Sequence, residues 1–417
     1  MSVVVIGGGW AGCSAALEAR KQGAEVILLE RTDMLLGLGN AGGIMRNNGR
    51  FTLAEECIAM GASEMFQITD DCATHVNVDF PGHRHASFYN VKKVEPCVRR
   101  LLEKMGVQMR FRFRATGVIK TDSDHIKAVV SADGEEVYGD AFIETTGTTG
   151  PMGNCADYGR GCSMCILRCP AFGPRVSISE KAGGHDYCGT RADGTLGAFS
   201  GSCKLDKETL GGGLQKQLNE KGFAVVPLPE NLVNEKKLAS KVCRQYALPE
   251  FARNLVLIDT GSAKMMTTYF PLDELRTVPG FENAIYADPY AGGKGNSIRY
   301  MACTERDGRL RVSGPENLFC AGEKAGTFVG HTEAIATGTL AGYNAVKYVG
   351  EEELMEMPET TVLGALIKYQ EEHPGMVTCA GDRFFEFMKM KGLYTTDKRK
   401  ISERVAAAGL TGVFGMC

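Results

Sequence analysis

Cys155, Cys162, Cys165 and Cys169 stand together in the stretch NCADYGRGCSMCILRCPAFGP. The last three are spaced C-x2-C-x3-C with Pro170 following, close to the ferredoxin run in which short loops let several thiolates converge on one compact cluster. The expectation is a 4Fe–4S cluster, with a zinc site or unligated thiols as the alternatives. Cys155 is the outlying ligand of the four, and Cys188 or Cys203 could replace it. Gly159, Gly161 and Gly173 give the backbone freedom to wrap, and Met164, Ile166 and Leu167 could exclude water.

A second chemical pattern opens the chain. In MSVVVIGGGWAGC, the glycines Gly7, Gly9 and Gly12 have the spacing of a dinucleotide-binding turn: a tight bend, close approach of backbone to pyrophosphate, and close packing of helix on strand. Glu30, twenty-three residues after Gly7, is an acid that can accept both ribose hydroxyls. Arg31 adjoins it.

These residues need elements to place them. Val3 to Ile6 reads as a strand, CSAALEARKQG as a helix and Ala24 to Glu30 as the next strand, the setting in which the glycine pattern acquires meaning. The loop GLGNAGGIMRNNG lets backbone amides approach a ligand, and FTLAEECIAMGASEMF reads as helical. VEPCVRRLLEKMG is a further helix. Strands at Val107–Phe113, Gly117–Lys120, Ile126–Ser131 and Glu136–Tyr138 read as an antiparallel meander that leads to the strand Ala141–Glu144. Near the end, LFCAGEKAGTFVGHTEAIATGTLAGYNA runs from apolar strand through glycine loop into a small-residue helix.

VVVIGGGWAGCSAA, the meander ending in FIETTG and the return segment CAGEKAGTFVGHTEAIATGTLAGYNA together resemble the glutathione-reductase class of FAD enzymes, and within it the GidA/TrmFO branch. The resemblance implies an α/β fold: a Rossmann-like FAD-binding domain with an inserted α+β domain and a short helical C-terminal region. The domain expectation is residues 1–150 for the first part of the FAD domain, 151–295 for an inserted substrate and iron–sulfur domain, 296–350 for the return segment and 351–417 for the helical end. It further implies that Gly7, Gly9, Gly12, Glu30 and Arg31 hold the ADP half. Gly39, Asn40 and Gly43 correspond to the flavin-side loop, Ala115 and Gly147 to the start of the meander and the loop after it, and Gly322, Glu323, His331 and Thr332 to the return segment. His331 can act as a proton donor beside the flavin or cap its helix. The folate-dependent methyltransferases of the branch carry a cysteine-containing stretch near the flavin-side loop, whereas this chain has Asn40-Ala41-Gly42-Gly43.

The remaining patterns exclude more than they assign. Net charge is −3 over 417 residues, so nucleic acid is not favoured as a partner of the whole surface. The alternation RFRFR, ending at Arg114, reads as one solvated face of a meander strand. His83 and His85 lack a third ligand nearby and read as a solvated loop. No apolar run approaches the ~18 residues of a membrane span, and fifteen cysteines without a secretory leader suit a reducing cytoplasm. The expected function is an oxidoreductase in which a 4Fe–4S cluster passes electrons between an external carrier, such as a ferredoxin-like donor, and FAD, which acts on a small-molecule substrate. The alternatives are a GidA/TrmFO-like flavoenzyme that modifies tRNA with a folate, and an electron-transfer subunit of a larger complex.

Overall fold

Ser2–Ile6, β-branched and apolar from Val3 onward, forms the middle strand of a five-stranded parallel sheet, where both faces are covered and alternation is not required. A computed structural model describes residues 1–121, 124–148, 172–190, 198–199, 203–239, 247–267, 270–287, 298–299, 301–375 and 382–415. Across the sheet the order is Leu318–Cys320, Ala141–Glu144, Ser2–Ile6, Glu25–Glu30 and Gln108–Phe111. The return segment therefore pairs in register beside Ala141–Glu144, with Phe142 opposite Leu318 and Glu144 opposite Cys320.

Helix Trp10–Lys21 is rich in Ala, Leu, Glu, Arg and Lys, good helix formers, and is buried along nearly its whole length. Its cover is the helix His331–Val349. The two backbones touch: a Cβ on Gly338 would stand 2.2 Å from the Ala11 carbonyl oxygen, and one on Gly342 would stand 2.4 Å from that of Ala15. Small residues thus set the spacing of the pair that carries both ends of the ligand cleft.

The expected meander holds for Ala115–Lys120, Ile126–Ser131 and Glu136–Tyr138. The strand expected at Val107–Phe113 is a different matter. Its core, Gln108–Phe111, pairs in parallel with Glu25–Glu30 and forms the half-exposed edge of the main sheet, because helix Val94–Lys104, with Val94, Val98 and Leu102 buried, makes the crossover that a parallel neighbour needs. The helical stretch from Phe51 divides into Arg50–Ala59 and Glu64–Asp71, interrupted at Gly61, whose positive φ of 95° brings it against Gly415.

Two larger antiparallel sheets stand beside these, with two-stranded pairs at Asp186–Cys188 with Ala302–Thr304 and at Ala198–Phe199 with Ile298–Arg299. Cys203–Leu205, Ala263–Met265, Asn254–Asp259 and Phe223–Pro227 form a four-stranded sheet with its own core around Leu205, Leu218, Leu257 and Phe281. Ile44–Met45, His83–Tyr89 and Ala73–Phe80 form the other, and Phe80 and Phe88 pack against Val256 and Ile258 of the first. His83 is buried rather than solvated: its ring stacks on Phe80 at 4.3 Å, and burial lowers its pKa to about 3. His85 turns to the Tyr394 hydroxyl at 3.0 Å, so the two imidazoles serve different neighbours. Helices Val362–Glu372, Asp382–Met390 and Lys398–Ala407 follow toward the C-terminus. No helix among the described residues is long and apolar enough to cross a membrane.

Candidate functional site

The C-terminal ends of the parallel strands open onto a cleft of about 1180 Å³, counting space continuous with solvent. Gly7, Gly9, Glu30, Arg31, Gly39, Ala115, Gly147, Gly322, Glu323 and His331 all line it. The turn after the first strand is shaped by close contacts. Gly7 has φ of +106°, and a Cβ on Gly12 would fall 1.8 Å from the Gly7 carbonyl oxygen, so helix and strand can meet only without a side chain there. Gly9 and Gly147 face the cleft, and a Cβ on either would have no protein atom within 4 Å among the described residues. That open space is what a ligand running along the backbone requires.

Glu30 ends its strand buried, with each carboxylate oxygen already holding one backbone amide. Gly8 N donates to Oε2 at 2.8 Å and Thr32 N to Oε1 at 2.8 Å. Each oxygen keeps lone-pair capacity for a hydroxyl, so the acid both braces the glycine turn and can accept from a ribose. Arg31 donates to the Gly173 carbonyl, and Arg114 Nε donates to that of Pro174 at 2.8 Å, which straps residues 173–174 along the cleft wall.

At the other end, His331 is the first residue of its long helix, whose N-terminus carries partial positive charge toward the cleft. Tyr89 fixes the imidazole. The Tyr89 hydroxyl donates its only proton to the Gly39 carbonyl at 2.6 Å and lies 3.0 Å from His331 Nδ1, so Nδ1 carries the proton and donates in turn. Trp10 Nε1 donates to the same hydroxyl at 3.4 Å. Burial pushes the Tyr89 phenol well above its ordinary range, so it stays protonated.

Gly12, Asn40, Gly43 and Thr332 sit behind the lining rather than in it. Asn40 is buried. Its amide donates to the Leu35 carbonyl at 2.7 Å, and its Oδ1 has no partner among the described residues. Gly43, at φ +74°, packs on Thr260, and the Thr332 hydroxyl meets the Met45 sulfur at 3.7 Å. The loop they belong to is held from outside by two lysines of the four-stranded sheet, directly opposite each other across two strands. Lys204 Nζ donates to the Asn40 carbonyl at 2.7 Å, and Lys264 Nζ donates to that of Gly42. Burial, with the charge of Lys92 added, lowers the Lys204 pKa to about 8. Tyr89, Trp10 and this lysine pair were not singled out from the sequence; the only local signal was the Pro81-Gly82 turn that marks the hairpin ending at Tyr89.

Below the cleft lies a buried polar cluster. Glu144 accepts from Ile178 N at 3.0 Å, Ser179 N at 2.7 Å and Thr146 Oγ1 at 2.8 Å, while Lys324 contacts Asp186 at 2.5 Å and Ser177 at 2.8 Å. Glu323 accepts from Thr148 Oγ1 at 2.7 Å, which ties the return segment to the loop after the meander. Cys303 Sγ lies 3.4 Å from the Glu323 carbonyl and Cys13 Sγ 3.3 Å from that of Gly8. Burial raises the Cys303 thiol to about 12 and Cys13 higher still, so neither is a thiolate nucleophile at neutral pH.

The profile of the family described as "Glucose inhibited division protein A" matches residues 2–211 and 256–353. The chain belongs to this family. Among sequence relatives, the methylenetetrahydrofolate–tRNA-(uracil-5-)-methyltransferase TrmFO of Streptococcus sanguinis is 31% identical over 144 residues, 32% of this chain and 30% of the relative. The TrmFO of Thermosipho melanesiensis is 34% identical over 96 residues, 23% of this chain and 21% of the relative. The matched stretches thus span less than a third of these relatives' length. The structure of GidA from Aquifex aeolicus superposes with a TM-score of 0.66 at 15% identity, covering 97% of this chain and 76% of that one, which shows a shared fold.

These findings overturn the expected electron-transfer function. The family is GidA, and its curated relatives are named for methyl transfer to tRNA, which favours the tRNA-modifying alternative over an oxidoreductase that couples FAD to a 4Fe–4S cluster. Nothing in the family supports a ferredoxin-like donor. Cys155, Cys162, Cys165 and Cys169 lie outside the described residues, and among the described residues no group of three or more His, Cys, Asp and Glu could hold a metal ion.

Proposed function

We propose that this protein is an FAD-dependent enzyme that transfers a folate-borne one-carbon unit to a base of tRNA, as the names of its relatives describe for uracil. The observation that carries the reading is the cleft itself: a glycine-walled groove, in a chain of the GidA family, running from a ribose-accepting acid at Glu30 to a helix N-terminus at His331. Flavin bound there supplies the two reducing equivalents that take a carbon from the methylene to the methyl level.

The chain's own residues have distinct tasks in this reading. Gly7, Gly9 and Gly12 let the backbone approach the pyrophosphate, Glu30 accepts from the ribose, and Gly147, Gly322 and Glu323 line the middle of the cleft. The start of the His331 helix stabilises negative charge at the flavin's pyrimidine edge. His331, with its proton held on Nδ1 by Tyr89, presents Nε2 as an acceptor when neutral. The loop Asn40–Gly43 has no cysteine, so the thiol carried by folate-dependent methyltransferases in that region has no counterpart at this position.

The test is direct. Full-length protein, with carbon-labelled methylenetetrahydrofolate and a reductant, is incubated with tRNA from a strain lacking TrmFO, and nucleosides are analysed for label in 5-methyluridine or another modified uridine. Label in a tRNA base, dependent on FAD, is the expected result. Failure of the FAD-loaded protein to bind either tRNA or methylenetetrahydrofolate would refute the proposal.

A further inference from the structure

Arg175 is nine-tenths or more buried, yet it lines the cleft, and its Nε and Nη1 have no hydrogen-bond partner among the described residues. Its Nη2 makes only a 3.5 Å contact with the Thr148 carbonyl. A guanidinium carries five donors and stays charged, so leaving most of them dry and unpaired costs far more than ordinary burial. Burial indeed lowers its pKa, opposed by Glu144 and Asp186. Those two carboxylates cannot satisfy it by contact. Glu144 is occupied by Ile178 N, Ser179 N, the Ser179 hydroxyl and Thr146, and Asp186 by Lys324 and the Thr304 hydroxyl.

The side chain is also placed rather than loose. Residues 173 and 174, just before it, are strapped by Arg31 and Arg114, and Gly173, at φ +79°, leaves no room for a side chain against the Arg114 guanidinium, 2.9 Å from where a Cβ would stand. Arg175 lines the cleft with Arg31, whose charge it feels, and its Nη2 meets Thr148, which is bonded to Glu323. The loop at Thr145–Thr146 that precedes Thr148 abuts Gly7 of the phosphate turn. A buried cation with unpaired donors, lining the same cleft as a turn built for phosphate, calls for an anionic group with several acceptor oxygens.

We infer that Arg175 grips the pyrophosphate of the bound dinucleotide in the cleft lined by the Gly7–Gly9 turn. The inference rests on the FAD reading above and adds to it a charged phosphate ligand outside the glycine fingerprint. It also accounts for a buried arginine that has no carboxylate in contact among the described residues: its partner is the ligand.

The experiment compares wild type, Arg175→Met and Arg175→Lys as full-length protein freed of flavin, titrated with FAD, ADP, riboflavin and adenosine, with thermal melting of each ligand-free form. Arg175→Met should weaken FAD and ADP by about 10- to 100-fold, the loss of one charged bidentate contact, while riboflavin and adenosine bind as to wild type. Arg175→Lys should restore part of the loss, and the ligand-free Met variant should melt no earlier than wild type, because an unpartnered buried charge has been removed. Unchanged affinity of Arg175→Met for FAD and ADP, together with earlier melting, would show a structural arginine and overturn the inference while leaving the FAD reading intact. Loss of tRNA binding with FAD and ADP affinity unchanged would assign Arg175 to an RNA phosphate and overturn it equally. If wild type binds neither FAD nor ADP, the cofactor reading itself fails and takes the inference with it.

Discussion

Removing one hydroxyl at Tyr89 tests how the site holds His331. In Tyr89→Phe the ring keeps its packing, but the Gly39 carbonyl loses its donor at 2.6 Å and His331 Nδ1 loses its acceptor at 3.0 Å. The Trp10 contact at 3.4 Å is weak and contributes little. The Gly39 carbonyl remains buried and the His331 ring half-buried at the cleft, and a buried unmet partner costs about 1–3 kcal/mol, so a total of about 1–3 kcal/mol is expected. Urea unfolding should show the midpoint fall with the slope unchanged, the sign of lost stability rather than altered compactness. Nitrogen-15 NMR of labelled histidine gives a second reading: wild type should hold the proton on Nδ1, and the variant should move toward the Nε2–H form. A stability change below about 0.5 kcal/mol, within the range of ordinary surface substitutions, would refute the hydrogen-bond reasoning. So would a wild-type imidazole already protonated at Nε2 alone.

Further expectations follow from other parts of the structure. Glu30→Gln turns an amide donor toward Gly8 N or Thr32 N, so affinity for FAD and for ADP should fall by about 10-fold or more, read by titration of flavin-free protein. Lys204, lowered to about 8 from 10.5, binds its proton less tightly in the fold than in the unfolded chain. Stability should therefore rise as pH increases from about 8 to about 10.5, by on the order of 1–3 kcal/mol, and Lys204→Met should flatten that rise in urea titrations. Glu56 shows the opposite sign: it is fully buried, and burial raises it from 4.5 to about 7 despite Arg404, so its contribution is present below pH 4.5 and is lost as pH climbs through 7. Arg404→Met should raise the Glu56 pKa further, so its cost should be larger at pH 8, where the acid must take up a proton that wild type has released, than at pH 5, where both forms are protonated.

The parts of the site that were legible in the sequence are those made by local geometry. Gly7, Gly9, Gly12 and Glu30 lie within one strand–turn–helix–strand unit, so their spacing alone carries the constraint that a Cβ on Gly12 would strike the Gly7 carbonyl. The return segment was legible for a similar reason: Gly338 and Gly342 are small because they meet the Ala11 and Ala15 backbone. Where local pattern misled, a physical reason can be named. RFRFR has the alternation of a hairpin strand, but the residues at its start form an exposed edge of the parallel sheet, which alternates equally well. The hairpin Ala73–Tyr89 was overlooked because its register shifts repeatedly, and Asn77 and His85 take positive φ, so side chains leave the two-residue period.

What escaped the sequence most completely is held by contacts that span the chain. Tyr89 and His331 are separated by 242 positions, and Lys204 reaches Asn40 across 164, so neither pairing leaves a spacing to read. The cysteine run shows the converse hazard. A tight spacing is easy to see, yet the same short-loop thiols suit several chemistries, and here it drew the functional reading toward electron transfer while the remainder of the chain carried the family's pattern. Arg175 has no motif at all. Its significance comes from three conditions that only the fold combines, namely burial, the absence of a partner for two of its nitrogens among the described residues, and a position on the cleft, and of these the missing partner is the one that calls for a ligand.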